Sequence, residues 1–125
     1  MGAKVFDLEE RTAQFGENII EFCKSLEKNE INKELVCQLL KAGTSVGANY
    51  NEADGSITKR DFKHKISISR KESKESAFWL RMIAKANPER AAECAILRQE
   101  AKELTLIFSA ILNKPKRARQ DEGSI

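Results

Sequence analysis

Eight potentially cationic side chains fall within sixteen residues: Lys59, Arg60, Lys63, His64, Lys65, Arg70, Lys71 and Lys74. On a helix, Lys59, Lys63 and Arg70 share one side with Lys74 close by, because steps of four and seven return to the same face. Such a stripe can track a phosphate backbone, and each phosphate neutralised steepens the salt dependence of binding. The candidate nucleic-acid contacts are therefore Lys59, Arg60, Lys63, Lys65, Arg70 and Lys74. Lys116, Arg117 and Arg119 of the C-terminal tail add a second basic arm. The competing reading is a solvated face. Helices of soluble bundles expose Lys and Arg freely, Glu72 and Glu75 offset part of the charge, and solubilising tails look the same.

Other chemistry finds little support. His64 is the only histidine. With Arg60 it resembles the Arg…His motif of small all-α ribonucleases of the HEPN type, but the gap is one residue too short. Glu52, Asp54, Asp61, Glu72 and Glu75 could in principle supply metal oxygens, yet the inward Glu-x-x-His pairs that bundle metal sites use are missing. Glu52 and Glu72 read better as partners of basic residues such as Arg70 or Arg81. Cys23, Cys37 and Cys94 form no Cys-x-x-Cys spacing, so a zinc site is not expected. Cys23 and Cys94 fall on apolar helical stripes and read as buried free thiols, in line with a reducing, cytoplasmic compartment. No catalytic residue, metal or cofactor is expected.

These side chains must be carried by helices. The chain has 125 residues, 41% hydrophobic and 33% charged, which fits one soluble globular domain and excludes the disordered class. Two prolines and six glycines disfavour a strand-and-turn architecture. No run approaches the roughly 20 apolar residues of a membrane span, and the N-terminus lacks the apolar core of a signal peptide.

Four periodic segments follow one another. The first has Asp7 as cap and the seam Val5, Leu8, Thr12, Phe15, Ile19, Phe22, Leu26. For the second, Asn32 is the expected cap and Leu35, Leu39, Gly43, Val46, Tyr50, Ala53 the seam. Gly43 and Gly47 each cost about 1 kcal/mol of helix propensity, which makes sense where another backbone comes close. Gly55 suits a left-handed helix end. The third helix opens on Thr58 and Asp61, with the seam Phe62, Ile66, Ser69, Ser73, Ser76, Leu80, Ile83. Its three serines are small enough to face Gly43 and Gly47. Asn87-Pro88 caps the fourth, whose seam is Cys94, Leu97, Ala101, Leu104, Phe108, Ile111, and Pro115 stops it. The expectation is an all-α, antiparallel up-down-up-down four-helix bundle over residues 1–113, followed by a basic, disordered tail over 114–125. Trp79, Phe78 and Met82 lie at the edge of the third helix's apolar side and, with Tyr50, are the expected subunit interface.

Charge is unevenly spread. Residues 1–56 hold six basic and ten acidic groups, whereas residues 57–87 hold nine basic and three acidic. An anionic partner would be drawn to the third helix.

The stretch from Gly43 to Leu80 resembles a bacterial family of four-helix bundle proteins, the 23S rRNA intervening-sequence or S23-type proteins. The matching pieces are Gly43-Thr44-Ser45-Val46-Gly47-Ala48-Asn49-Tyr50, Glu52-Ala53, Asp61-Phe62, His64-Lys65-Ile66, Lys71-Glu72 and Trp79-Leu80. Phe6-Asp7-Leu8-Glu9 and Asn32-Lys33-Glu34-Leu35 are similar to the family's helix starts. Asn51, where the family often carries Arg, and Ser69-Arg70, in place of a more apolar pair, depart from the pattern. The resemblance implies an antiparallel bundle and, from related proteins, assembly into rings of five. A relative, the accessory protein of diversity-generating retroelements, is a basic pentameric barrel that works with a reverse transcriptase and nucleic acid. The expected function is thus a non-enzymatic, cytoplasmic, homo-oligomeric accessory or scaffold protein that binds RNA or DNA. A protein-interaction module without nucleic-acid binding is the alternative.

Overall fold

The computed structural model describes residues 7–113. They form four long helices: α1 Leu8–Ser25, α2 Glu30–Asp54, α3 Lys59–Ala86 and α4 Ala91–Leu112, with a 3-10 turn at Pro88–Arg90 before α4. Val5, Pro115 and the basic residues Lys116, Arg117 and Arg119 lie outside the described residues.

Contacts across each seam run in opposite sequence order, which defines the topology. Gly47 approaches Thr12 while Gly43 approaches Ile19. Asn32 bonds to Asn87, whereas Lys65 meets Glu52. Arg11 reaches Glu100, and Arg90 reaches Ser25. Neighbouring helices are therefore antiparallel, as short links require. The two middle helices form the densest pairs, α2 with α3 and α3 with α4, while α1 and α4 touch lightly.

The apolar seams supply the core. Phe15, Ile19, Leu39, Val46, Ile66, Leu80, Ile83, Leu104 and Phe108 are at most 1% exposed. Each such side chain contributes about 1.5–3 kcal/mol by leaving water. The serine stripe is buried as well, and all three hydroxyls are satisfied. Ser73 and Ser76 donate to the carbonyls of Ser69 and Glu72 one turn back, and Ser69 donates across to the Val46 carbonyl of α2 at 2.9 Å.

Local details correct several expectations. The cap of α2 is Asn29, whose side chain accepts from the Asn32 amide. Asn32 itself is buried and bonds to Asn87, so Asn87 makes no side-chain cap to the next helix. Gly55 sits at φ −92°, not in the left-handed region. Gly43 and Gly47 do not face the serines of α3. A Cβ on Gly43 would lie 3.0 Å from Ile19 Cγ1 and Cγ2, and one on Gly47 would lie 3.2 Å from Thr12 Oγ1. The close approach is between α2 and α1. By contrast, Asp7 caps α1 and Thr58 caps α3 by accepting from the Asp61 amide, as the sequence suggests.

Candidate nucleic-acid interface

Helix α3 has two flanks, each identified by what it touches. Lys65 turns to α2, where its Nζ meets Glu52 Oε1 at 2.5 Å. Arg70 turns to α4, where its guanidinium donates to Ser109 Oγ at 3.4 Å. Lys59, Lys63 and Lys74 lie on the Arg70 side by helical period, and Arg81 and Lys85 continue the same row. The row runs nearly the whole helix, about 39 Å at 1.5 Å per residue. Lys59, Lys74, Arg81 and Lys85 are exposed; Lys63 and Arg70 are half-buried.

None of these six cations is held in an ion pair among the described residues; the ion pairs there involve Arg11, Lys24, Lys65 and Arg90. The row is also flanked by like charge. Arg98 and Lys102 of α4 share a helical face with Thr105 and Ser109, the face that receives Arg70. Arg98 is half-buried, and its Nε is enclosed without a hydrogen-bond partner among the described residues.

The carboxylates of α4 lie elsewhere. Arg11 of α1 donates to Glu100 at 2.7 Å and to Glu103 at 2.8 Å, and Arg90 pairs with Glu93. These hydrogen bonds hold the Glu93 and Glu103 carboxyls below the usual carboxylate range; for Glu103 the Gln99 amide is the largest cause and Arg11 the next. Acidic groups thus gather toward α1, and the α3 flank keeps a net positive face. On the other flank Glu72 lies half-buried, and burial followed by the neighbouring Glu75 raises its pKa.

The sequence-predicted residues separate into groups. Lys59, Lys63, Arg70 and Lys74 come together. Lys65 does not join them, being paired to Glu52. Arg60 lies instead with Thr58, Asp61 and His64 around a shallow hollow at the start of α3. Arg81, Lys85, Arg98 and Lys102 extend the cationic surface beyond the sequence-predicted contacts. The first two extend the period of Lys74 and were legible from it, but Arg98 and Lys102 join only through the pairing of α4 with α3. Glu72 finds no ion pair with Arg70 or Arg81.

The expected interface residues also divide. Tyr50 is engaged within the bundle, its ring centroid 6.5 Å from that of Phe108. Trp79 and Met82 are half-buried. Phe78 is 50% exposed and meets Trp79 edge-on, centroids 5.0 Å apart.

Elsewhere, a cavity of about 640 Å³ opens at the α1–α2 end, lined by Cys23, Leu26, Asn32, Val36, Cys37 and Leu40. Among the described residues no three His, Cys, Asp or Glu side chains are grouped to hold a metal ion, and no helix is long and apolar enough to cross a membrane.

Fold and surface together define an antiparallel four-helix bundle with a cationic third helix. The chain belongs to the 23S rRNA-intervening sequence protein family, whose model matches residues 5–110. Its fold is similar to the crystal structure of a protein of unknown function from the S23 ribosomal protein family of Bacteroides thetaiotaomicron. That likeness has a TM-score of 0.77 at 23% identity and covers 85% of this chain and 98% of the other. A comparison with curated proteins gives no match.

Proposed function

We propose that this protein is a non-enzymatic nucleic-acid-binding accessory or scaffold protein that works as a homo-oligomer. The observation that carries the reading is the row Lys59, Lys63, Arg70, Lys74, Arg81 and Lys85, six cations without ion-pair partners among the described residues, on one flank of α3. A solvated helix face usually interleaves both signs, whereas here the acids of α4 are drawn away to Arg11 and Arg90. The ligand is RNA or DNA held through its phosphates, with Lys116, Arg117 and Arg119 of the tail as a second arm. Lys65 contributes little, because binding would have to break its pair with Glu52. Half-buried Trp79 and Met82 offer an edge for self-association, and the family resemblance supports a ring of five.

The test is a titration against structured RNA and duplex DNA at two salt concentrations. Submicromolar binding that weakens steeply with salt supports the reading. Absence of binding at low salt rejects it and leaves a protein-interaction scaffold, whose mark is a co-purifying protein partner.

A further inference from the structure

Phe78 is the one large aromatic of α3 that stays half open to solvent, and four of its helical neighbours are cations, with Glu75, three residues before it, the one acid among them. Lys74 precedes it by four residues and Lys71 by seven; Arg81 follows by three and Lys85 by seven. Those spacings place all four around the ring on one helical face. Trp79 stands nearly perpendicular to the ring, with centroids 5.0 Å apart, and the ring keeps half of its surface open to solvent. An aromatic ring beside four cations that make no ion pair among the described residues offers two things at once: a stacking platform and phosphate neutralisation.

We propose that the cationic row binds single-stranded nucleic acid, with an unpaired base stacked on Phe78 and the flanking phosphates on Lys74, Arg81 and Lys85; this rests on the nucleic-acid reading above. Base stacking on aromatic side chains needs an open π-face, which only an unpaired base presents. The fold also disfavours duplex reading. A helix that enters a major groove must protrude, but α3 is packed against α2 on one flank and α4 on the other. It presents a shallow ridge about 39 Å long, over which a flexible strand can drape and a duplex touches only at its phosphates.

The experiment measures the affinity of the full chain for a labelled 12-nucleotide oligouridine and for a labelled 12-base-pair RNA duplex. The protein variants are wild type, Phe78→Leu, Phe78→Tyr and the triple reversal Lys63→Glu, Arg70→Glu, Lys74→Glu. Trp79, the only tryptophan, reports base stacking through quenching of its emission. The expected result is tighter binding of the single strand and saturable quenching, a loss of about tenfold or more in Phe78→Leu, and near-normal affinity in Phe78→Tyr. Circular dichroism and sedimentation check that each variant keeps its fold and assembly.

Equal binding of both probes, indifferent to Phe78→Leu yet abolished by the triple reversal, overturns the single-strand assignment and leaves nucleic-acid binding in place. A change of oligomeric state in Phe78→Leu without a change in affinity also overturns it, assigning the ring to contact between copies. Failure of both probes to bind rejects this proposal together with the reading beneath it.

Discussion

Asn32 and Asn87 exchange reciprocal amide hydrogen bonds of 3.0 and 2.9 Å across the α2–α3 seam. Both are buried, at 2% and 4% exposure. Each spends its remaining donor on a carbonyl, Asn32 on that of Glu27 and Asn87 on that of Ile83. The pair joins the α1–α2 loop to the end of α3. Replacing Asn87 with Ala leaves a buried amide unpaired and should cost about 1–3 kcal/mol. The double variant Asn32→Ala/Asn87→Ala should cost less than the sum of the single variants, since neither leaves a stranded partner. Urea unfolding of the four proteins measures the coupling; strict additivity would show that the bonds do not cooperate.

The α1–α2 seam predicts opposite signs for three similar substitutions. Each Gly→Ala change gains about 1 kcal/mol of helix propensity. At Gly16 the new Cβ meets its nearest atoms at 3.7 Å, ordinary contact, so Gly16→Ala should stabilise. At Gly47 it would lie 3.3 Å from the Thr12 carbonyl oxygen, a backbone atom that cannot swing aside. At Gly43 it would press on the branched, fully buried Ile19. Gly43→Ala and Gly47→Ala should therefore destabilise, and thermal melting of the three proteins gives the signs.

These glycines also show how far the sequence was legible. Their helical spacing announced a close approach, and the serine stripe of α3 announced small buried hydroxyls. Which helix each would meet was not written in either pattern, because period fixes a face without naming the neighbour. The same limit explains Asn32. Its type suits a cap, but Asn29 three residues earlier takes that role, and only the fold reveals that Asn87 lies opposite. Lys59, Lys63, Arg70 and Lys74 could be grouped by period alone. The pairing of Lys65 with Glu52, and the gathering of α4 carboxylates around Arg11, depend on contacts 13 or more residues apart that no local pattern encodes.

Acid should weaken the α1–α4 bridge. The Glu103 carboxyl is held below its ordinary value of 4.5 by Gln99 and then Arg11. Stability from this bridge is fully present above the unfolded value and is lost as pH falls through the folded one. Arg11→Met should lower Tm by a few degrees at pH 7, and its deficit against wild type should shrink below about pH 4. High salt should shrink it as well, since the partners are part-exposed. A deficit unchanged by acid and salt would mean that Arg11 acts through packing alone.

The three thiols should differ in reactivity. Cys37 is exposed, whereas Cys23 and Cys94 are buried. Burial pushes the Cys23 thiol up to about 11 and raises that of Cys94. A thiol reagent at pH 8 should titrate one fast group in the native protein and three in denaturant. The unfolded Cys23 ionises near 9.0 while the folded one stays protonated to about 11. Stability should therefore fall as pH rises through that window, and less steeply in Cys23→Ala.

Whether the α3 row binds nucleic acid is decided by the salt dependence of RNA affinity, compared between wild type, the reversal Lys63→Glu/Arg70→Glu/Lys74→Glu, and a control reversal of exposed Lys24 on α1. Wild type and the control should lose affinity linearly with the logarithm of salt. The triple variant should lose binding or have a slope shallower by about one unit for each phosphate contact removed. Equal slopes and affinities in all three proteins would contradict the assignment of the α3 row as the binding face.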